Sequence, residues 1–231
     1  MSKDGGGLRV RVKTARRRTP QSTRWLDRQL NDPYVKRAKA EGYRSRAAYK
    51  LIELDQRFGF LKGSKRIIDL GIAPGGWSQV ARRQLPKAAI AGIDLLPVDP
   101  IDGVAILQMD FMDDKAPAAL AEALGGVPDL VLSDMAANTV GHPQTDALRT
   151  MALVEAALAF AVDVLEPGGA FIGKVFAGGA DTSLVTELKR NFKTVKHAKP
   201  PASRKGSSEW YVVAQGFKGR AVAPAETGDA R

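Results

Sequence analysis

A chain of 231 residues, 44% hydrophobic and 26% charged, has the material for one sizeable folded core. It has no apolar run near the roughly 18 residues of a membrane span, no apolar leader in its start MSKDGGGLRV and no cysteine, which points to a cytoplasmic protein without disulfides, membrane contact or a metal site. The net charge of +10 and the pI near 9.9 suggest a polyanionic partner.

Residues 1–20 are rich in Gly and Arg, lack hydrophobic periodicity and read as a disordered basic arm. From Ser22 to Gly59 the pattern is helical. In SRAAYKLIELDQRF, Ala47, Leu51, Leu54 and Phe58 recur at the spacing of one buried stripe, so the helical segment 21–60 is expected to pack on the core. Short apolar runs near 66–71, 89–94, 104–108, 129–134 and 169–176 then alternate with helical stretches near 77–85, 116–124, 145–165 and 181–191. That alternation implies a parallel sheet. EWYVVAQGF, from Glu209, reads as the closing strand, and residues 219–231 as a flexible tail, which leaves 21–218 as a single domain.

The charge is placed unevenly. Residues 1–50 hold 15 Lys/Arg against 4 Asp/Glu, leaving 20 against 21 for the rest, and seven more Lys/Arg lie between Glu187 and Glu209 with no acid among them. A lone charged run is as readily a solvated surface. Two basic segments flanking a nearly neutral core favour a nucleic acid.

RIIDLGIAPGGWSQ runs an apolar strand into Gly71, Pro74, Gly75 and Gly76 just before a helix, which is how a cofactor loop at the carboxyl end of a sheet begins. The segment Gly71-Ile72-Ala73-Pro74-Gly75-Gly76 departs from the G-x-G-x-x-G of dinucleotide sites, whose middle glycine admits a pyrophosphate. Asp94 closes the second strand 23 residues after Gly71, where a carboxylate can accept from ribose hydroxyls, and Asp110 closes the third near the place for an adenine amine. Either acid alone could equally cap a helix. Asp134 follows Leu130, Val131 and Leu132 at the same edge; the Asn/Asp-Pro-Pro-aromatic turn of base-amine methylating enzymes is absent, which favours a hydroxyl acceptor. Lys174 sits among Phe171, Ile172, Val175 and Phe176, either emerging by its aliphatic stem or serving as a general base.

In order, YRSRAAYKL, DLGIAPGGW, SDMAAN, GGAFIGKVF and SRKGSSEWY resemble the FtsJ/RrmJ family of ribose 2′-O-methyltransferases over approximately residues 22–218. The resemblance implies a Rossmann-like class I α/β fold, a mostly parallel seven-stranded sheet with helices on both faces. It implies a catalytic tetrad of Lys50, Asp134, Lys174 and Glu209. Contacts to S-adenosyl-L-methionine would come from Gly71, Gly75, Trp77, Asp94, Asp110 and Asp134. Lys174 is expected to accept the proton, Asp134 to orient it, and Lys50 and Glu209 to bind the nucleotide or adjust its charge. The family substrate is a uridine of the 23S ribosomal RNA A-loop in the 50S subunit; tRNA or an mRNA cap is the neighbouring alternative, and a non-catalytic ribosome assembly factor the distant one. RNA rather than DNA is the expected partner, held by phosphate contacts from the arm, from Arg44 and Arg46 and from Lys189 to Lys205, with the enzyme a monomer. Ile72 stands where the family usually has alanine, and Ala137 where proline is common.

Overall fold

The computed structural model describes residues 10–11, 14, 19–137, 143–176 and 182–220; the expected basic arm and tail lie, but for a few positions, outside them. Seven strands form one sheet: β1 (Arg66–Leu70), β2 (Ala89–Asp94), β3 (Val104–Gln108), β4 (Leu130–Ser133), β5 (Ala170–Phe176), β6 (Phe192–Ala198) and β7 (Glu209–Phe217). Their order is β3-β2-β1-β4-β5-β7-β6. Neighbours from β3 through β5 are parallel, and β7 runs antiparallel to both β5 and β6. The chain moves outward from β1 to β2 and β3, then returns to lay β4 on the other side of β1. In such sheets ligands sit outside the carboxyl ends at this reversal.

The strands of a sheet covered on both faces must send alternate apolar side chains to opposite sides. Ile67 faces one layer with Leu130, Leu132, Ile172, Tyr211 and Val213, while Ile68, Leu70, Val131, Phe171 and Val212 face the other. The first layer is covered by α3 (Ala47–Phe58) and α4 (Gly76–Gln84), the second by α5 (Ala116–Leu124), α6 (Pro143–Val164) and α7 (Thr182–Asn191). Helices thus lie on both faces, as the class I fold requires. Among the described residues, no helix is long and apolar enough to cross a membrane.

The helical segment before β1 consists of α1 (Pro20–Asn31), α2 (Pro33–Ala40) and α3. Pro33 lacks the N–H that would continue α1, and Asp32 caps α2 by accepting from the Tyr34 N–H at 3.0 Å. The stripe on α3 is centred on Leu51 and Leu54 as its spacing predicts, each contributing roughly 2 kcal/mol by burial, with Ala48 rather than Ala47 completing it. β6 is the strand that periodicity misses. Its burial runs buried at both ends with Lys193, Thr194, Lys196 and His197 exposed between, because it is an edge strand on which charges discourage further pairing.

Candidate active site

Asp134 follows β4 directly, so the sheet delivers its carboxylate to the crevice beside β1 and β5. Lys174 lies on β5, the next strand, and its Nζ donates to Asp134 Oδ1 at 3.0 Å and to the Asp134 carbonyl at 2.6 Å. Lys50, from α3, donates to Glu209 Oε2 at 2.8 Å and lies 3.7 Å from Asp134 Oδ2. Glu209 opens β7 and accepts from Ser203 Oγ at 2.8 Å with its other oxygen. The four residues of the expected tetrad therefore form one cluster of two lysine amino groups and two carboxyl groups, with side chains only 8–17% exposed.

Such a cluster is stable only if the buried charges satisfy each other. Burial works to raise the pKa of Asp134, but Lys174, Lys50 and the Tyr211 hydroxyl outweigh it and hold the carboxyl below its ordinary range. Tyr211 donates from its hydroxyl to Asp134 Oδ1 at 2.7 Å, and burial followed by the charges of Asp134 and Glu209 pushes the phenol well above its usual value. It is a fixed donor here. Its ring packs against Trp77 and lies 5.7 Å beneath the Lys50 ammonium. Sequence reading missed Tyr211, although a period of two from Glu209 places it on the same face; Ser203 had no comparable signal.

The glycine loop is built for its protein neighbours. Gly71 has φ 78°, and a Cβ there would meet Met135 Cγ at 2.7 Å, so this glycine lets the Asp134 loop close over β1. Gly75 has φ 106° and caps α4, where a Cβ would press on Ile101 and Arg44. Both glycines are therefore required by their backbone angle and by their protein neighbours. Ile72 is buried and fits over the bare Cα of Gly92, which explains how the larger residue is accommodated.

Asp94 accepts from the Ala73 N–H at 2.9 Å and from the Leu96 N–H at 2.9 Å, one bond per oxygen, leaving each oxygen a further lone pair. Asp110 is exposed and turns its Oδ1 back to the Met112 N–H at 2.9 Å. It caps no helix, since α5 begins at Ala116. The Trp77 indole is buried and donates to the Ala47 carbonyl at 2.9 Å, so its part in binding a ligand is limited to its backbone N–H in the first turn of α4. Leu95, Leu96 and Met112 form an exposed apolar lip on the loops after β2 and β3 that sequence reading did not single out. Below the loop, Asp69 on β1 accepts from Ser78 Oγ at 2.6 Å.

Arg44 and Arg46, expected to meet phosphates, both also have guanidinium contacts within the chain. Arg44 donates to the carbonyls of Pro74, Asp99 and Pro100, tying α3's approach to the glycine loop. Arg46 pairs with Asp32 at 3.2 Å and donates to the Ala202 carbonyl. Arg204 also turns to Asp32, at 3.6 Å. Lys189, Arg190, Lys193, Lys196 and Lys205 remain exposed.

The sequence profile of the FtsJ-like methyltransferases matches residues 43–217. "Ribosomal RNA large subunit methyltransferase E" of Rhizorhabdus wittichii is 72% identical over 229 residues, covering 99% of this chain and 100% of that protein. The protein so named in Sphingopyxis alaskensis is 75% identical, covering 93% of this chain and 94% of its own length. A crystal structure described as a ribosomal RNA methyltransferase from Plasmodium falciparum is 36% identical, with a TM-score of 0.69, and covers 77% of this chain and 100% of its own. With the profile spanning most of the chain and the relatives spanning nearly all of it, this protein belongs to the FtsJ-like methyltransferase family.

Proposed function

We propose that this methyltransferase uses S-adenosyl-L-methionine to methylate a ribose 2′-hydroxyl of RNA, with a uridine of the 23S ribosomal RNA A-loop in the large subunit as its target. The observation that carries the reading is the cluster of Lys50, Asp134, Lys174 and Glu209 at the mouth of the sheet. The names of relatives more than 70% identical support a large-subunit RNA substrate.

The residues present fit the donor. The free lone pairs of Asp94 suit ribose hydroxyls, Asp110 and the apolar lip of Leu95, Leu96 and Met112 suit an adenine, and the first-turn N–H groups of α4 suit a carboxylate. When bound, S-adenosylmethionine supplies a methyl on a sulfonium, an electrophile that needs no further activation. The difficulty is the hydroxyl, a poor acid whose proton needs an acceptor as the oxygen attacks.

Lys174 is the acceptor we assign. As an amine it takes the hydroxyl proton on Nζ, and the resulting ammonium is neutralised by the Asp134 carboxylate and steadied by the Asp134 carbonyl. Tyr211 donates to the same Asp134 oxygen, Oδ1, and fixes the carboxylate in place. Lys50, held by Glu209, presents positive charge beside the same centre, and Ser203 anchors Glu209.

The test is methyl transfer from labelled donor to purified, unmethylated large subunits and, in parallel, to tRNA. Wild type should label the 23S RNA at one uridine ribose, and Lys174→Ala should lose turnover while still binding donor by calorimetry. Normal turnover by that variant removes the assigned base; labelling of tRNA in place of the subunit removes the assigned substrate.

A further inference from the structure

Trp210 is 36% exposed, while the other large apolar side chains left exposed among the described ones are aliphatic. It stands on β7 between Glu209 of the tetrad and Tyr211, which grips Asp134. Because side chains alternate along a strand, it projects from the face of the sheet opposite Tyr211, at the carboxyl end of β5, where its register partner Val175 is buried. With over a third of its surface in water, this large side chain forgoes part of the stabilisation that full burial would bring.

Its surroundings carry charge. Lys199, just past β6, sends its ammonium to the carbonyl of Ser207 on the segment that leads into β7, and Lys205 is exposed on that same segment, whereas Lys196, opposite Val213, stands on the other face of the sheet. A flat π surface with two lysines close by is a combination that holds single-stranded nucleic acid, with a base stacking on the ring and phosphates meeting the lysines. We infer that Trp210 is a stacking platform for the base of a nucleotide flanking the methylated ribose, so that it selects an unpaired target strand. The inference rests on the RNA reading above and adds to it the residue that engages a base.

Full-length Trp210→Ala, Trp210→Phe and Trp210→Leu variants are compared in methyl transfer to large subunits and in binding to an A-loop RNA hairpin. Stacking of one base on an aromatic ring accounts for about 5- to 150-fold in affinity, so Trp210→Ala should raise KM for RNA by about tenfold or more. Donor affinity and thermal midpoint should stay at wild-type values. Trp210→Phe should recover to within about threefold, whereas Trp210→Leu should resemble alanine. Hairpins made abasic on either side of the target locate the base. At one position the abasic site should weaken wild type as much as Trp210→Ala does, and should add nothing to that variant's loss. Unchanged RNA affinity in Trp210→Ala, equal behaviour of leucine and phenylalanine, or absence of coupling at every abasic position overturns the inference. Absence of methyl transfer to RNA by wild type overturns the functional reading itself.

Discussion

Asp69 is 1% exposed inside β1, and burial lifts its carboxyl from 3.8 to about 7, against the hydrogen bond from Ser78 and with the charges of Asp134 and Asp94 adding to the rise. Unfolded, this group loses its proton near 3.8; folded, it keeps it to about 7. Between those values the folded state binds more protons, so stability falls as pH rises. The contribution is fully present below the lower value and lost above the upper one. At about 1.4 kcal/mol per pH unit over roughly three units, the loss is about 4 kcal/mol, a large share of a domain's stability. Asp69→Asn keeps the shape and an acceptor for Ser78 but cannot ionise. Urea unfolding of both proteins from pH 4 to pH 8.5 isolates the effect in their difference. Wild type should lose ground to the variant steadily up to pH 7 and be the less stable above it. A difference that is flat in pH, or that moves in the opposite sense, would refute the burial argument.

Tyr211→Phe removes a donor to a carboxylate worth about 1.5–3 kcal/mol and raises the pKa of Asp134, so the low-pH edge of the rate profile should move to higher pH; an edge that stays in place contradicts the role given to the phenol. Asp94→Asn should weaken donor binding by about ten- to a hundredfold in calorimetry, and unchanged affinity would remove Asp94 from the donor site. Asp32→Ala takes away the α2 cap and the counter-charge of Arg46, and denaturation should show a loss of about 2–4 kcal/mol. RNA affinity should fall steeply with salt, and deletion of residues 1–20 should lower both affinity and slope; a salt-independent affinity would discard the phosphate contacts.

The order of strands and helices was legible because each element repeats its apolar residues at short range, every second or every third to fourth position. Asp94, Asp110, Asp134 and Lys174 could be placed at the sheet's carboxyl edge for the same reason: each comes at or just after a readable apolar run. β6 was not legible, because an edge strand need bury little and its lysines masked the pattern.

Partnership between residues is what the tertiary structure alone decided. Lys50 meets Glu209 across 159 positions, and Arg46 meets Ala202 across 156. No local period links such pairs, so sequence reading treated Arg44 and Arg46 as surface charge when both are bound within the chain. The sequence by itself determined which residue types reach the mouth of the sheet. Which ammonium pairs with which carboxylate, and that Tyr211 completes the set, followed only once α3, β4, β5 and β7 packed together, because electrostatic and hydrogen-bond energies depend on distance through space and not on separation along the chain.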